Sequence, residues 1–105
     1  MSDNYDKDKK VKRHLYICEC LNEIYKAKNE DYGDSFSKTY ERLGDISVLT
    51  RILDKVDRLE NLVTTKADIN YESLEDNLLD LANYCVMWLV ELDYDDDVRD
   101  FEDLS

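Results

Sequence analysis

The run Tyr71–Leu92, YESLEDNLLDLANYCVMWLVEL, decides the fold. It is the longest apolar-rich segment of the chain, and neither Gly nor Pro interrupts it. On a helix, Glu72, Asp76, Asp80 and Asn83 fall within roughly 80° of one another. The opposite side carries Leu74, Leu78, Leu81, Cys85, Trp88, Leu89 and Leu92, a broad surface expected to face a core. Met87 and Val90 continue the face of the polar stripe, which predicts that this face borders a partly enclosed place. Acids in such a place cost free energy unless a cation, a base or a ligand compensates them. A functional site meets that demand, and so does plain pairing of Asp76 and Asp80 with Lys or Arg of a neighbouring helix.

Working outward, the 105 residues make one domain, and the absence of Pro with only two Gly predicts an all-α chain. The expected architecture is an antiparallel helical bundle of three long helices plus a short one. A net charge of −12 argues against nucleic acid as a partner, since phosphate contacts need a basic surface. A small phosphorylated ligand needs only a local cluster of positive charge. Cys18, Cys20 and Cys85 are an odd set without metal-ligand spacing, and His14 is the lone histidine, so neither a zinc site nor a disulfide framework is expected. Free thiols and the lack of a signal peptide or membrane-length apolar run point to a cytoplasmic protein without a membrane partner.

In chain order, residues 1–9 read as a polar, flexible lead-in, followed by a helical domain over 10–92. Val11, Leu15, Cys18, Leu21, Ile24 and Tyr25 form an apolar stripe on a first helix from about Lys10 to Lys28. The segment Lys28–Phe36, KNEDYGDSF, reads as a turn, with Asp34 or Ser35 capping a short helix that Gly44 closes and Asp45 capping the next. Its Lys28, Asn29, Asp31 and Tyr32 suit either an ordinary connection or a ligand-facing loop. A second long helix runs from Ile46 to Val63, with Leu49, Ile52, Leu53, Val56, Leu59 and Val63 expected in its core. Arg51, Lys55 and Arg58 share one flank of that helix within about 60°. This basic stripe either pairs with the acids of the 71–92 helix or binds phosphate oxygens. Asn70 is the expected N-cap of the 71–92 helix. Residues 93–105, DYDDDVRDFEDLS, read as an acidic tail that is either solvated or docked on the body or a partner.

Together, AKNEDYGDSF, RILDKVDRL and ESLEDNLLDLANYCVM resemble a small helical family of phages and prophages, the first of the nucleotide-modification-associated domains. The resemblance spans roughly residues 15 to 92. It implies a role in phage nucleotide metabolism, in the cytoplasm of an infected bacterial host. The last motif is also similar to the second half of MazG-type all-helical nucleotide pyrophosphohydrolases, which hold Mg²⁺ with carboxylates from two helices. On that resemblance Asp76 and Asn83 match family positions. Ser73 stands where the family carries Glu, with Glu72 beside it, and Glu19 and Glu23 are spaced ExxxE rather than ExxE.

Three functions follow as expectations. The first is binding or sequestration of a small phosphorylated nucleotide, such as a host-defence signal. Lys28, Arg51, Lys55 and Arg58 would take phosphates, Tyr32, Tyr40 or Tyr84 would stack on a base, and Asn29, Asp31, Asp80 and Asn83 would complete the ligand set. The second is Mg²⁺-dependent hydrolysis of nucleoside triphosphates, with Glu72, Asp76 and Asp80 as metal ligands. The third is an acidic protein-interaction module. Three main helices of this size leave apolar surface, including Trp88, without cover, so a homo-oligomer is expected.

Overall fold

A computed structural model describes residues 3–65 and 68–95 of the chain. Four helices make it all-α, three long and one short as the sequence predicts: α1 (Asp3–Tyr32), α2 (Ser35–Leu43), α3 (Asp45–Thr64) and α4 (Tyr71–Asp95). Residues 96–105 of the acidic tail lie outside the described residues. The chain divides into two compact units, Met1–Asp34 and Ser35–Ser105. None of the helices, among the described residues, is long and apolar enough to cross a membrane.

The first unit is α1. It starts at Asp3 rather than near Lys10, and it runs through Lys28, Asn29, Asp31 and Tyr32. These four residues are therefore helical and not part of a turn, because no helix breaker precedes Gly33. Gly33 ends the helix in the left-handed region (φ 59°), and the Asp34 N–H donates to the Asn29 carbonyl at 3.3 Å. That six-to-one bond is the Schellman closure, which favours glycine at this position. Val11, Leu15 and Cys18 are exposed, while Leu21, Ile24 and Tyr25 are half-buried.

In the second unit, α3 and α4 pack together and α2 packs on α3. Lys55 meets Asp80 halfway along the pair, and Asp45 meets Trp88 nearer one end. The pairing of rising with falling residue numbers makes α3 and α4 antiparallel. Asn70 caps α4 as expected: its Oδ1 accepts from the Ser73 N–H at 3.1 Å. The cap of α3 differs from the expectation. Gly44 is the N-cap and supplies no side-chain hydrogen bond, which leaves the Asp45 carboxylate for other partners.

The burial pattern corrects the expected core faces. Val48 is fully buried, with Ile52, Lys55, Leu59 and Leu62 behind it, whereas Leu49, Leu53, Val56 and Val63 are exposed. On α4, Leu78, Cys85 and Leu89 are exposed, and the most buried residues are Asn77 and Asn83. Each helix carries an apolar band wide enough for two neighbours. Within the unit only one edge of each band meets the other helix, and the seam there includes polar groups.

Gly33 and Gly44 differ in what they would tolerate. A Cβ would meet nothing within 4 Å at either, so backbone conformation alone sets the cost of substitution. Gly44, at φ 72° and ψ −156°, occupies a region that essentially only glycine enters, while Gly33 sits where Asn is accepted. Gly44→Asn should destabilise by about 1–3 kcal/mol, and Gly33→Asn by clearly less, as read from urea unfolding followed by circular dichroism.

Candidate functional site

The seam of α3 and α4, with α2 against it, gathers most of the chain's organised polar chemistry. At its middle, Lys55 Nζ lies 3.0 Å from Asp80 Oδ2, with only 13% of the lysine side chain accessible. The same ammonium donates to Asn77 Oδ1 at 3.5 Å, and Asn77 Nδ2 donates to the Ser73 carbonyl at 2.8 Å. A buried amide is tolerated when both of its ends are engaged, and Asn77 meets that condition.

One turn along α3, Arg51 sits over two aromatic rings. Its guanidinium carbon lies 5.3 Å from the centre of Phe36 and 6.0 Å from that of Tyr84. The two rings are nearly parallel, 13° apart in plane with centres 6.4 Å apart. Attraction to both rings holds the guanidinium beside them. Among the described residues no carboxylate pairs with Arg51. Arg58, by contrast, pairs with Asp54 at 3.2 Å on the exposed side of α3, a contact worth a few tenths of a kcal/mol. The predicted basic stripe therefore splits three ways. Lys55 compensates an acid, Arg58 braces its own helix, and Arg51 lies against aromatic rings.

The α2–α3 corner adds a third cluster. Asp45 Oδ1 accepts from Tyr40 Oη–H and from Trp88 Nε1–H, each at 2.8 Å. The indole bond first, and the phenol bond second, favour the ionised carboxylate and hold its pKa below the ordinary value, against a smaller opposing effect of desolvation. The Ser37 hydroxyl donates to Glu91 Oε1. Ser37, Tyr40, Glu41, Gly44, Asp45 and Glu91 line a notch of about 440 Å³, within the usual range for small-molecule sites. A larger hollow of about 860 Å³ is lined by α1 residues, Tyr16 to Ile24.

The acidic stripe of α4 also divides. Asp80 faces the seam and Asn83 is buried, whereas Glu72 and Asp76 are exposed. Among the described residues, no three His, Cys, Asp or Glu side chains converge as a metal ion would require. With Asp80 held by Lys55, Glu72, Asp76 and Asp80 do not fit a Mg²⁺ site, which asks for near-octahedral oxygen ligands. Lys28, Asn29, Asp31 and Tyr32 belong to the first unit, on the last turns of α1. Sequence reading missed Phe36, Asp45, Asn77 and Trp88 as members of the polar clusters. Only Gly44-Asp45, a glycine cap that frees the acid beside it, offered a signal for one of them.

Two measurements test this geometry. Asp80→Asn leaves the nearly buried Lys55 ammonium without its counter-charge and should cost about 1–3 kcal/mol. Asp76→Asn should stay within about 0.5 kcal/mol. Because the folded pKa of Asp45 is depressed, its ionic contribution is complete above the unfolded value near pH 4 and fades as pH falls through the folded value. The gap in urea midpoint between the native chain and Asp45→Asn should therefore be constant around neutrality and narrow below about pH 4.

Compared with known proteins, the chain matches no curated protein and no solved structure. Residues 28–92 match a family described as nucleotide modification associated domain 1. This match takes in the end of α1 and nearly all of the α2–α3–α4 unit. It covers more than half of the chain and, Ala27 apart, carries the three motifs quoted above: the chain belongs to the nucleotide modification associated domain 1 family.

Proposed function

We propose that this protein binds a small phosphorylated nucleotide through its α2–α3–α4 unit, with Arg51 as the cation that takes the phosphate. The observation that carries the reading is the state of Arg51. Its guanidinium is oriented by Phe36 and Tyr84, and among the described residues it spends no hydrogen bond on a carboxylate. A guanidinium that is held in place by aromatic rings and retains its donors is suited to bidentate contact with phosphate oxygens. Tyr84, half-buried at the same place, offers a ring edge or face to a base. Tyr84 and Trp88 are one helical turn apart on α4, about 6 Å along the axis, so the notch beside Asp45 is within reach of the same ligand. Its hydroxyl and carboxylate groups are acceptors for sugar hydroxyls or base amines. The family's association with nucleotide modification supports nucleotides as the ligand class. Sequestration of a nucleotide signal is the use of such a site that requires no catalytic group.

The test is capture from a mixture. The purified chain is incubated with Mg²⁺ and a nucleotide pool that includes cyclic and ADP-ribose-derived species, then separated, heat-denatured, and both fractions are read by mass spectrometry. A nucleotide should be retained and return unchanged on denaturation. Arg51→Ala should weaken its binding about 10- to 100-fold, the loss of one charge-assisted hydrogen-bond pair, with unchanged helicity. Retention of no nucleotide, or retention indifferent to Arg51, would refute the reading. A cleaved product that EDTA suppresses would move the protein to the hydrolase class instead.

A further inference from the structure

The apolar bands that α3 and α4 leave exposed form one surface. On α3 the exposed stripe includes Leu49, Leu53 and Val56 and extends to the helix ends; on α4 it includes Leu78, Cys85 and Leu89. Viewed down α3, its stripe lies roughly 100° clockwise of the side that meets α4. On α4 the stripe lies roughly 120° in the same sense from the side that meets α3. For antiparallel neighbours, equal senses of rotation bring both stripes to the same side of the pair. The basic and acidic flanks, with Arg58 and Asp76, fall on the other side.

We propose that this side of the α3–α4 pair is the face on which a second copy of the chain docks. Three features favour a copy of itself over another partner. The first is spacing. Leu49, Leu53, Val56, Glu60 and Val63 follow intervals of four, three, four and three, and Leu78, Ala82, Cys85 and Leu89 follow four, three and four. That rhythm fits a nearly aligned helix partner, and the mate's own α3 and α4 supply two such helices around a two-fold axis. The second is charge. The chain carries −12 overall, yet Glu60 is the single ionisable side chain at these stripe positions apart from the Cys85 thiol. Two strongly acidic molecules can meet here with little like-charge repulsion, while a basic partner would be drawn to the acidic surfaces instead. The third is area. Leu53 is 53% accessible and Leu78 49%. Summed over both stripes such exposure amounts to on the order of 650 Å², near the roughly 800 Å² per partner of a standard interface.

The proposal is independent of any ligand and is tested without one. The full chain should sediment as a dimer, and Leu53→Glu/Leu89→Glu should sediment as a monomer at concentrations at least tenfold higher, with native helical content by circular dichroism. A second measurement avoids disruptive substitutions. In a Cys18→Ser/Cys20→Ser chain, the remaining Cys85 thiol should react with a maleimide several-fold more slowly as protein concentration rises through the dimerisation range. A native chain that stays monomeric at every concentration would overturn the proposal, since the face is then bare or covered within the chain. A charged variant that stays dimeric, or a Cys85 rate indifferent to concentration, would do the same.

Discussion

The Lys55–Asp80 pair is the contact on which the second unit turns. It joins α3 and α4 near the middle of both, where a slip by one helical turn would set the ammonium against Asp76 or Asn83 and break the bond to Asn77. Replacing such a pair by two apolar residues often changes stability little, whereas losing one member is costly. Its main effect is therefore on register. With register set, Arg51 comes to Tyr84 and Asp45 to Trp88, and the three polar clusters line up along one seam. Asn77 serves the same end, because a buried amide with both ends engaged is satisfied in one alignment of the helices only.

This arrangement explains why an acidic chain keeps an organised set of cations. Each base on the α3 flank has a different neighbour, and the neighbour decides its role. A carboxylate neutralises Lys55 and a carboxylate on the next turn steadies Arg58. Aromatic rings orient Arg51 without neutralising it. Phe36 is central to the difference, because its buried ring gives the guanidinium a surface to lie on while leaving its donors unspent. The matched family segment ends at residue 92, within α4, and begins at Lys28, so all three clusters fall inside it.

Much of this fold was legible in the residues. The lack of Pro, the apolar periodicity, the closing glycine Gly44 and the cap at Asn70 lead directly to four helices. The rotation of each helix was not legible. A band such as Leu49, Ile52, Leu53, Val56 looks continuous on a helical wheel, and the wheel does not say which edge meets α4. The buried edge runs through Val48, Ile52 and Lys55, and a lysine at its centre is hard to anticipate before its acid is placed. The same limit applies to the site. Arg51, Lys55, Asp80 and Tyr84 stand out by type and spacing. Phe36, Asp45 and Trp88 join them through contacts between residues more than forty positions apart, which no local pattern encodes. The turn expected over Lys28–Tyr32 failed for a simpler reason: polar residues with turn preferences remain helical until a glycine lets the backbone leave.

Trp88 is the only tryptophan in the chain, and its indole N–H is bonded to a carboxylate that also lines the notch at the α2–α3 corner. An indole so placed is an optical gauge. Its emission depends on the hydrogen bond and on the water around the ring, both of which belong to the corner itself. Events at that corner, whether a guest in the notch or a parting of α2 from α3, are thus written into the native fluorescence of the protein, and no dye or added label is needed to read them.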